Sequence, residues 1–152
     1  KGSGNLRVTG QLGDVMKESV QIALTLVKEM YPDRSELFEK NDLHIHVPEG
    51  AVPKDGPSAG ITLTTAIASL VTGKAVDPEL AMTGEVSLRG DVMPIGGLPE
   101  KLMAALRAGV HRVFIPEENV DDLEDVAGEI KEKLDIIPVH TVAEVMDRVG
   151  LK

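Results

Sequence analysis

Ser58 and Lys101 are the two side chains of this 152-residue chain whose surroundings could make them reactive. Ser58 lies in Pro53-Lys54-Asp55-Gly56-Pro57-Ser58-Ala59-Gly60, just ahead of an apolar stretch from Ile61 to Val71. Two prolines and two glycines there fix a backbone that ordinary residues would not adopt cheaply. The pattern predicts Ser58 in the first turn of a helix, where unpaired N–H groups and the helix dipole would stabilise an oxyanion beside it. Gly56-Pro57-Ser58-Ala59-Gly60 also fits G-x-S-x-G, but the hydrolase elbow of that form needs a preceding apolar strand, and Pro48 to Pro57 is turn-like. Serine is equally a preferred N-cap residue, so the motif alone leaves capping and nucleophilic attack both open.

Lys101 follows a second rigid turn, Pro94-Ile95-Gly96-Gly97-Leu98, with Pro99 at the expected first position of a helix running to about Ala108. A lysine in a first helical turn is disfavoured as an ammonium by the macrodipole. Ala104, Ala105 and Ala108 share its helix face and could desolvate the amine, which would favour the neutral form a general base needs. A solvated surface lysine is the plainer reading of the same residues.

Two further pairs carry possible chemistry. Leu43-His44-Ile45-His46-Val47 alternates with period two, which predicts a half-buried strand with His44 and His46 on its polar face. Two histidines on one strand face could begin a metal site, but no further ligands stand at characteristic spacing, so hydrogen bonding or solvation is the simpler expectation. Leu80 to Val86 and Leu88 to Met93 read as strands about Arg89-Gly90-Asp91, itself a turn. Thr83 and Glu85 would then share a strand face, looking either into a common site or into solvent. Gly73-Lys74 lacks the earlier glycine and the following Ser or Thr of a phosphate-binding loop and reads as a helix stop.

These residues need a scaffold, and the rest of the chain predicts an α/β one. Leu6 to Thr9 is a strand candidate. Asp14 is the expected N-cap of an amphipathic helix whose core face is Met16, Val20, Ala23, Leu24, Val27 and Met30, stopped at Tyr31-Pro32-Asp33. A charged connector leads to the histidine strand. The helix after Ser58 is apolar enough to be central and buried, with Thr62, Thr64 and Thr65 bonding back to its own carbonyls. Arg112 to Ile115 is a strand, Asn119 caps a helix to about Leu134, Ile136 to Val139 is a strand, and Thr141 caps a last helix ending at Gly150. The acidic run from Glu117 to Asp125 reads as a solvated helix start. No repeat or linker divides the chain.

Composition narrows the function. With one Tyr, two Phe and no Trp the core must be aliphatic, and stacking platforms for single-stranded nucleic acid are missing. A net charge of −9 also argues against a nucleic-acid or anionic-membrane surface. The absence of cysteine removes disulfides, thiol catalysis and cysteine-based zinc sites. Residues 1–5 contain no apolar signal region and no run approaches the ~18 apolar residues of a membrane span, so the default expectation is a soluble, intracellular protein.

Taken together, the motifs resemble the proteolytic domain of the ATP-dependent Lon proteases, bacterial LonA type. The likeness runs through Gly10 to Ser19, His44 to Gly50, Pro53 to Gly60, Met82-Thr83-Gly84-Glu85-Val86, Leu88-Arg89-Gly90 and Pro94 to Leu102. It covers nearly the whole chain in order. The resemblance implies one serine protease domain over 1–152 with the Lon proteolytic-domain fold, similar to the second domain of ribosomal protein S5. It also implies that the ATPase and N-terminal substrate-binding regions of a full-length Lon are not in this chain. By position, Ser58 matches the family's nucleophile, Lys101 its general base, Thr83 a threonine that orients the lysine, and Asp55 a turn residue at the mouth of the site. Glu85, His44 and His46 are carried as supporting residues. The resemblance further implies unfolded or damaged polypeptide substrates, a hexamer in the full-length protein, a cytoplasmic location, and no cofactor or metal in this domain, ATP and Mg being used by the ATPase. Lon-like domains also occur as non-proteolytic scaffolds in DNA-repair ATPases, which typically lack the serine and lysine present here.

Overall fold

The computed structural model describes Gly2 and residues 4–10, 13–47 and 59–151. Strand β1 (Leu6–Gly10) pairs parallel with β2 (Leu43–Val47), in register from Leu6 opposite Leu43 to Gly10 opposite Val47. Parallel neighbours need a crossover, and helix α1 (Asp14–Met30) supplies it. Its buried face contains Met16, Val20, Ala23, Leu24 and Val27, as the 3.6-residue spacing predicts, together with Ser19 and Leu26. The cap lies one residue earlier than expected: Gly13 is the extended N-cap, and Asp14 is the first helical residue, where the dipole favours its charge.

The charged connector is more ordered than its sequence suggests. A 3₁₀ turn (Pro32–Arg34) leads into a short helix α2 (Ser35–Lys40), tied by a Lys40–Glu36 ion pair and by Asn41 Nδ2 donating to the Leu37 carbonyl at 2.9 Å. Six residues with none buried carry no periodicity to read.

Helix α3 (Gly60–Thr72) crosses α1 and buries Ile61, Ile67, Ala68 and Val71 against Ala23, Leu24 and Val27. Each fully buried Ile, Leu or Val side chain among these stabilises the fold by about 1.5–3 kcal/mol relative to exposure. The helix is not buried on every side, since Leu70 is 67% exposed. Thr64 and Thr65 bond back to the Gly60 and Ile61 carbonyls at 2.8 Å, as expected, whereas Thr62 donates instead to the Met82 carbonyl at 3.2 Å.

The second sheet orders β3 (Leu80–Met82), β6 (Arg112–Pro116) and β7 (Asp135–Val139) as parallel neighbours with β6 in the middle. Successive β6 residues face opposite ways. Phe114 enters the core under α1 and α3, while Val113 and Ile115 enter a second core with Leu98, Leu102, Val126, Ile130 and Leu134. The expected α/β alternation is therefore present, with an apolar layer on each face of this sheet.

The two strands predicted about the Arg-Gly-Asp turn are shorter than read. After Met82 the chain leaves the sheet, and β4 (Glu85–Val86) pairs antiparallel with β5 (Val92–Met93) around a turn in which the Gly90 amide donates to Ser87 at 2.9 Å. Thr83 still donates its amide to Phe114 at 3.1 Å, but the Gly84 carbonyl accepts from Ile61 at 3.0 Å, which breaks the strand there. The long helix expected from Asn119 to Leu134 is also absent. Glu117–Asp125 forms a 3₁₀ stretch, Val126 and Ala127 are extended, and only α5 (Gly128–Lys133) is α-helical, because buried Val126 must reach the second core. Helix α4 (Leu98–Arg107) lies close to its predicted range. Helix α6 (Val142–Arg148) is capped by Thr141, whose hydroxyl accepts from the Glu144 amide at 3.2 Å.

Candidate active site

Lys101 sits in the first turn of α4, where the rigid-turn sequence predicts it. The turn works because Gly97 adopts φ +71°, a left-handed conformation that side chains disfavour, and so reverses the chain into the helix. Lys101 Nζ reaches back across this turn and donates to the Gly96 carbonyl at 3.3 Å.

A cavity of about 300 Å³ opens beside the lysine. Its walls include Lys101 and Ala104 from α4, Met82 and Thr83 from the end of β3, and Ala59 and Thr62 from the start of α3. Ala105 of the predicted alanine strip also lines it, but exposed Ala108 does not. The structure therefore brings Lys101 and buried Thr83 to one cavity, and Ala59, covalently next to Ser58, to the same cavity. Ser58 itself and Asp55 lie outside the described residues.

The start of α3 is held against this wall by close backbone packing. A Cβ added to Gly60 would lie 2.9 Å from Val86 Cγ2 and 3.0 Å from the Val86 amide nitrogen, so glycine alone permits the approach. The Ile61 amide to Gly84 carbonyl bond, 3.0 Å long, fixes it further.

Glu85 does not share a face with Thr83. The interruption of the strand at Gly84 moves Glu85 onto the β4–β5 ladder opposite Met93, and it does not line the cavity. His44 and His46 occupy the exposed face of the β1–β2 sheet, as the alternation predicts. His44 Nε2 and His46 Nδ1 each lie 2.8 Å from the Thr9 hydroxyl, their rings edge to face. One hydroxyl can donate to one ring nitrogen while accepting from the other, so the two imidazoles are linked through Thr9. Among the described residues no group of three or more His, Asp or Glu side chains is placed to hold a metal ion.

Sequence reasoning missed Asn119. Its buried carboxamide grips the lysine-bearing turn: Oδ1 accepts from the Ile95 amide at 2.9 Å and Nδ2 donates to the Ile95 carbonyl at 2.8 Å. Nδ2 also donates to Asp122 Oδ2 at 2.6 Å. An asparagine ahead of an acidic run reads as a helix cap, and no local pattern reveals a partner 24 residues earlier.

The chain matches the family model of the Lon protease (S16) C-terminal proteolytic domain over residues 1–151. It is 61% identical over 145 residues to a Lon protease of Clostridium beijerinckii, covering 95% of this chain and 18% of that protein. A Lon protease of Methanosarcina barkeri is 55% identical over 147 residues, with the same coverage, and one of Fervidobacterium nodosum is 53% identical over 147 residues, covering 96% of the chain. The chain thus spans 18% of the length of these curated relatives.

Proposed function

The chain belongs to the family of the Lon protease (S16) C-terminal proteolytic domain, and from that premise we propose that it hydrolyses peptide bonds with Ser58 as nucleophile and Lys101 as general base. The observation that carries this reading is the single cavity lined by Lys101, Thr83 and the residue that follows Ser58.

A neutral lysine amine has two N–H groups and one lone pair. Lys101 donates one N–H to the Gly96 carbonyl; in the proposed mechanism the second N–H is donated to the hydroxyl oxygen of Thr83, which lines the same cavity, and the lone pair is left for the Ser58 proton. As the Ser58 oxygen attacks the scissile carbonyl, Lys101 takes that proton; the resulting ammonium then protonates the leaving amine. The Ser58 backbone N–H, close to the start of α3, is the proposed oxyanion donor. Water then attacks the acyl-enzyme ester, Lys101 again accepting the proton, and Ser58 is regenerated.

In the longer protein the domain acts on unfolded polypeptides delivered by an ATP-dependent module, within a cytoplasmic homo-hexamer, and this domain itself uses no cofactor. The family supports the protease and its ATPase-linked setting; assembly and location extend the reading. No described helix is long and apolar enough to cross a membrane.

The test is hydrolysis of an unstructured fluorogenic peptide by the native chain, Ser58→Ala, Lys101→Ala and a His44→Ala/His46→Ala double variant. Loss in the first two variants with activity kept in the third is the expected pattern. Loss in the histidine variant with Lys101→Ala still active would replace the dyad by a serine-histidine mechanism.

A further inference from the structure

We propose that Asn119 is a positioning residue for Lys101, acting through the backbone of Ile95 and Gly96. The kinetic part of this inference rests on the Ser58–Lys101 reading; the geometric part does not.

Lys101 Nζ donates to the Gly96 carbonyl, 3.3 Å away, the one hydrogen bond the described residues give its amine. That carbonyl lies between two glycines, Gly96 and Gly97, neither of which has a Cβ to restrict its backbone. A partner so placed would wander unless something outside the turn held it. Asn119 does so from the 3₁₀ stretch after β6, bonding both the N–H and the C=O of Ile95, the residue immediately before Gly96. Pinning both polar groups of one residue fixes its position and its rotation. The turn then enters α4 through a defined Gly96.

The carboxamide is itself oriented. A carboxylate only accepts hydrogen bonds, so the Asp122 oxygen at 2.6 Å selects the NH₂ end of Asn119 and turns Oδ1 toward the Ile95 amide. Both Nδ2 protons and Oδ1 are thereby used. Asn119 is 2% exposed, and a buried carboxamide left unpaired would lose its hydration with nothing in return, so the group has no cheap alternative arrangement. The chain of contacts runs from Asp122 to Asn119, to Ile95, to the Gly96 carbonyl, to the lysine amine.

The experiment compares Asn119→Ala and Asp122→Ala with the native chain by two readouts. The first is the ¹³Cε–¹⁵Nζ NMR signal of Lys101, identified by its disappearance in Lys101→Arg; it requires no catalysis. The expected result is a shifted or broadened Lys101 signal in Asn119→Ala, with a smaller change in Asp122→Ala, while the other lysine signals stay in place. The second is steady-state hydrolysis of the fluorogenic peptide, where kcat should fall by up to ~10²-fold in Asn119→Ala with KM within about twofold, since misplacing a reacting group costs rate rather than ground-state binding. If Asn119→Ala does not fold, Asp122→Ala, which keeps the Asn119–Ile95 pair but frees its orientation, carries both readouts alone. An unmoved Lys101 signal overturns the proposal, as does a raised KM at unchanged kcat. A moved signal in a protein whose Lys101→Ala variant remains fully active supports the positioning of the lysine and removes the dyad instead.

Discussion

The amide of Ile61 donates to the carbonyl of Gly84 at 3.0 Å, joining the first turn of α3 to the residue that follows Thr83. Two walls of the lysine cavity are thereby tied together, since Ala59 lies just before that turn and Thr83 just before Gly84.

Gly60→Ala tests this tie. The new Cβ would press on the Val86 side chain and amide at 2.9 and 3.0 Å, and the amide cannot give way without shifting β4. A loss of about 1–3 kcal/mol in stability is expected, read as a lowered thermal midpoint, together with at least a tenfold loss of peptide hydrolysis. Native stability in this variant would show that α3 and β4 are not in close contact.

Thr83→Val keeps shape and removes the hydroxyl that the mechanism places beside the lysine. Stability should change by no more than about 1.5 kcal/mol, since a typical hydrogen bond contributes about 0.5–1.5 kcal/mol net. Peptide hydrolysis should fall about tenfold or more in kcat, with KM little changed. A variant with native kcat would remove Thr83 from the proposed site.

Much of this arrangement is legible in the sequence where local pattern and tertiary role agree. The α1 face, the alternation that exposes His44 and His46, the Thr141 cap and the placing of Lys101 after Pro99 all follow from spacing and turn chemistry. Legibility fails where a distant partner decides. The strand through Thr83 is cut because Gly84 serves α3 rather than the sheet, and that separates Glu85 from Thr83. Asn119 has the composition of a cap yet spends its side chain on Ile95, and extended Val126 then stops the predicted helix from forming. Ser58, read from its turn and helix start, and Asp55, read from the family resemblance, lie outside the described residues.

Tyr31 links the end of α1 to the chain's last turn, its hydroxyl donating to the Leu151 carbonyl at 2.8 Å. Burial pushes this phenol's pKa above its ordinary value near 10.0. A group whose folded pKa is raised contributes stability that is complete below the unfolded pKa and lost as pH rises through the folded value. Tyr31→Phe should therefore cost about 1 kcal/mol near neutral pH and reduce the loss of stability above about pH 10, measured by denaturant unfolding across that range. An unchanged alkaline profile in the variant would place the titration elsewhere.

The most direct test of the central claim is Lys101→Arg, assayed by peptide hydrolysis from about pH 6 to 10. Arginine keeps the positive charge but is not deprotonated in proteins, so it cannot accept the Ser58 proton. If Lys101 is the general base, Lys101→Arg should be as inactive as Lys101→Ala at every pH at which the native chain is active. Hydrolysis by Lys101→Arg within tenfold of native would show that Lys101 serves as a charge and that another group activates Ser58.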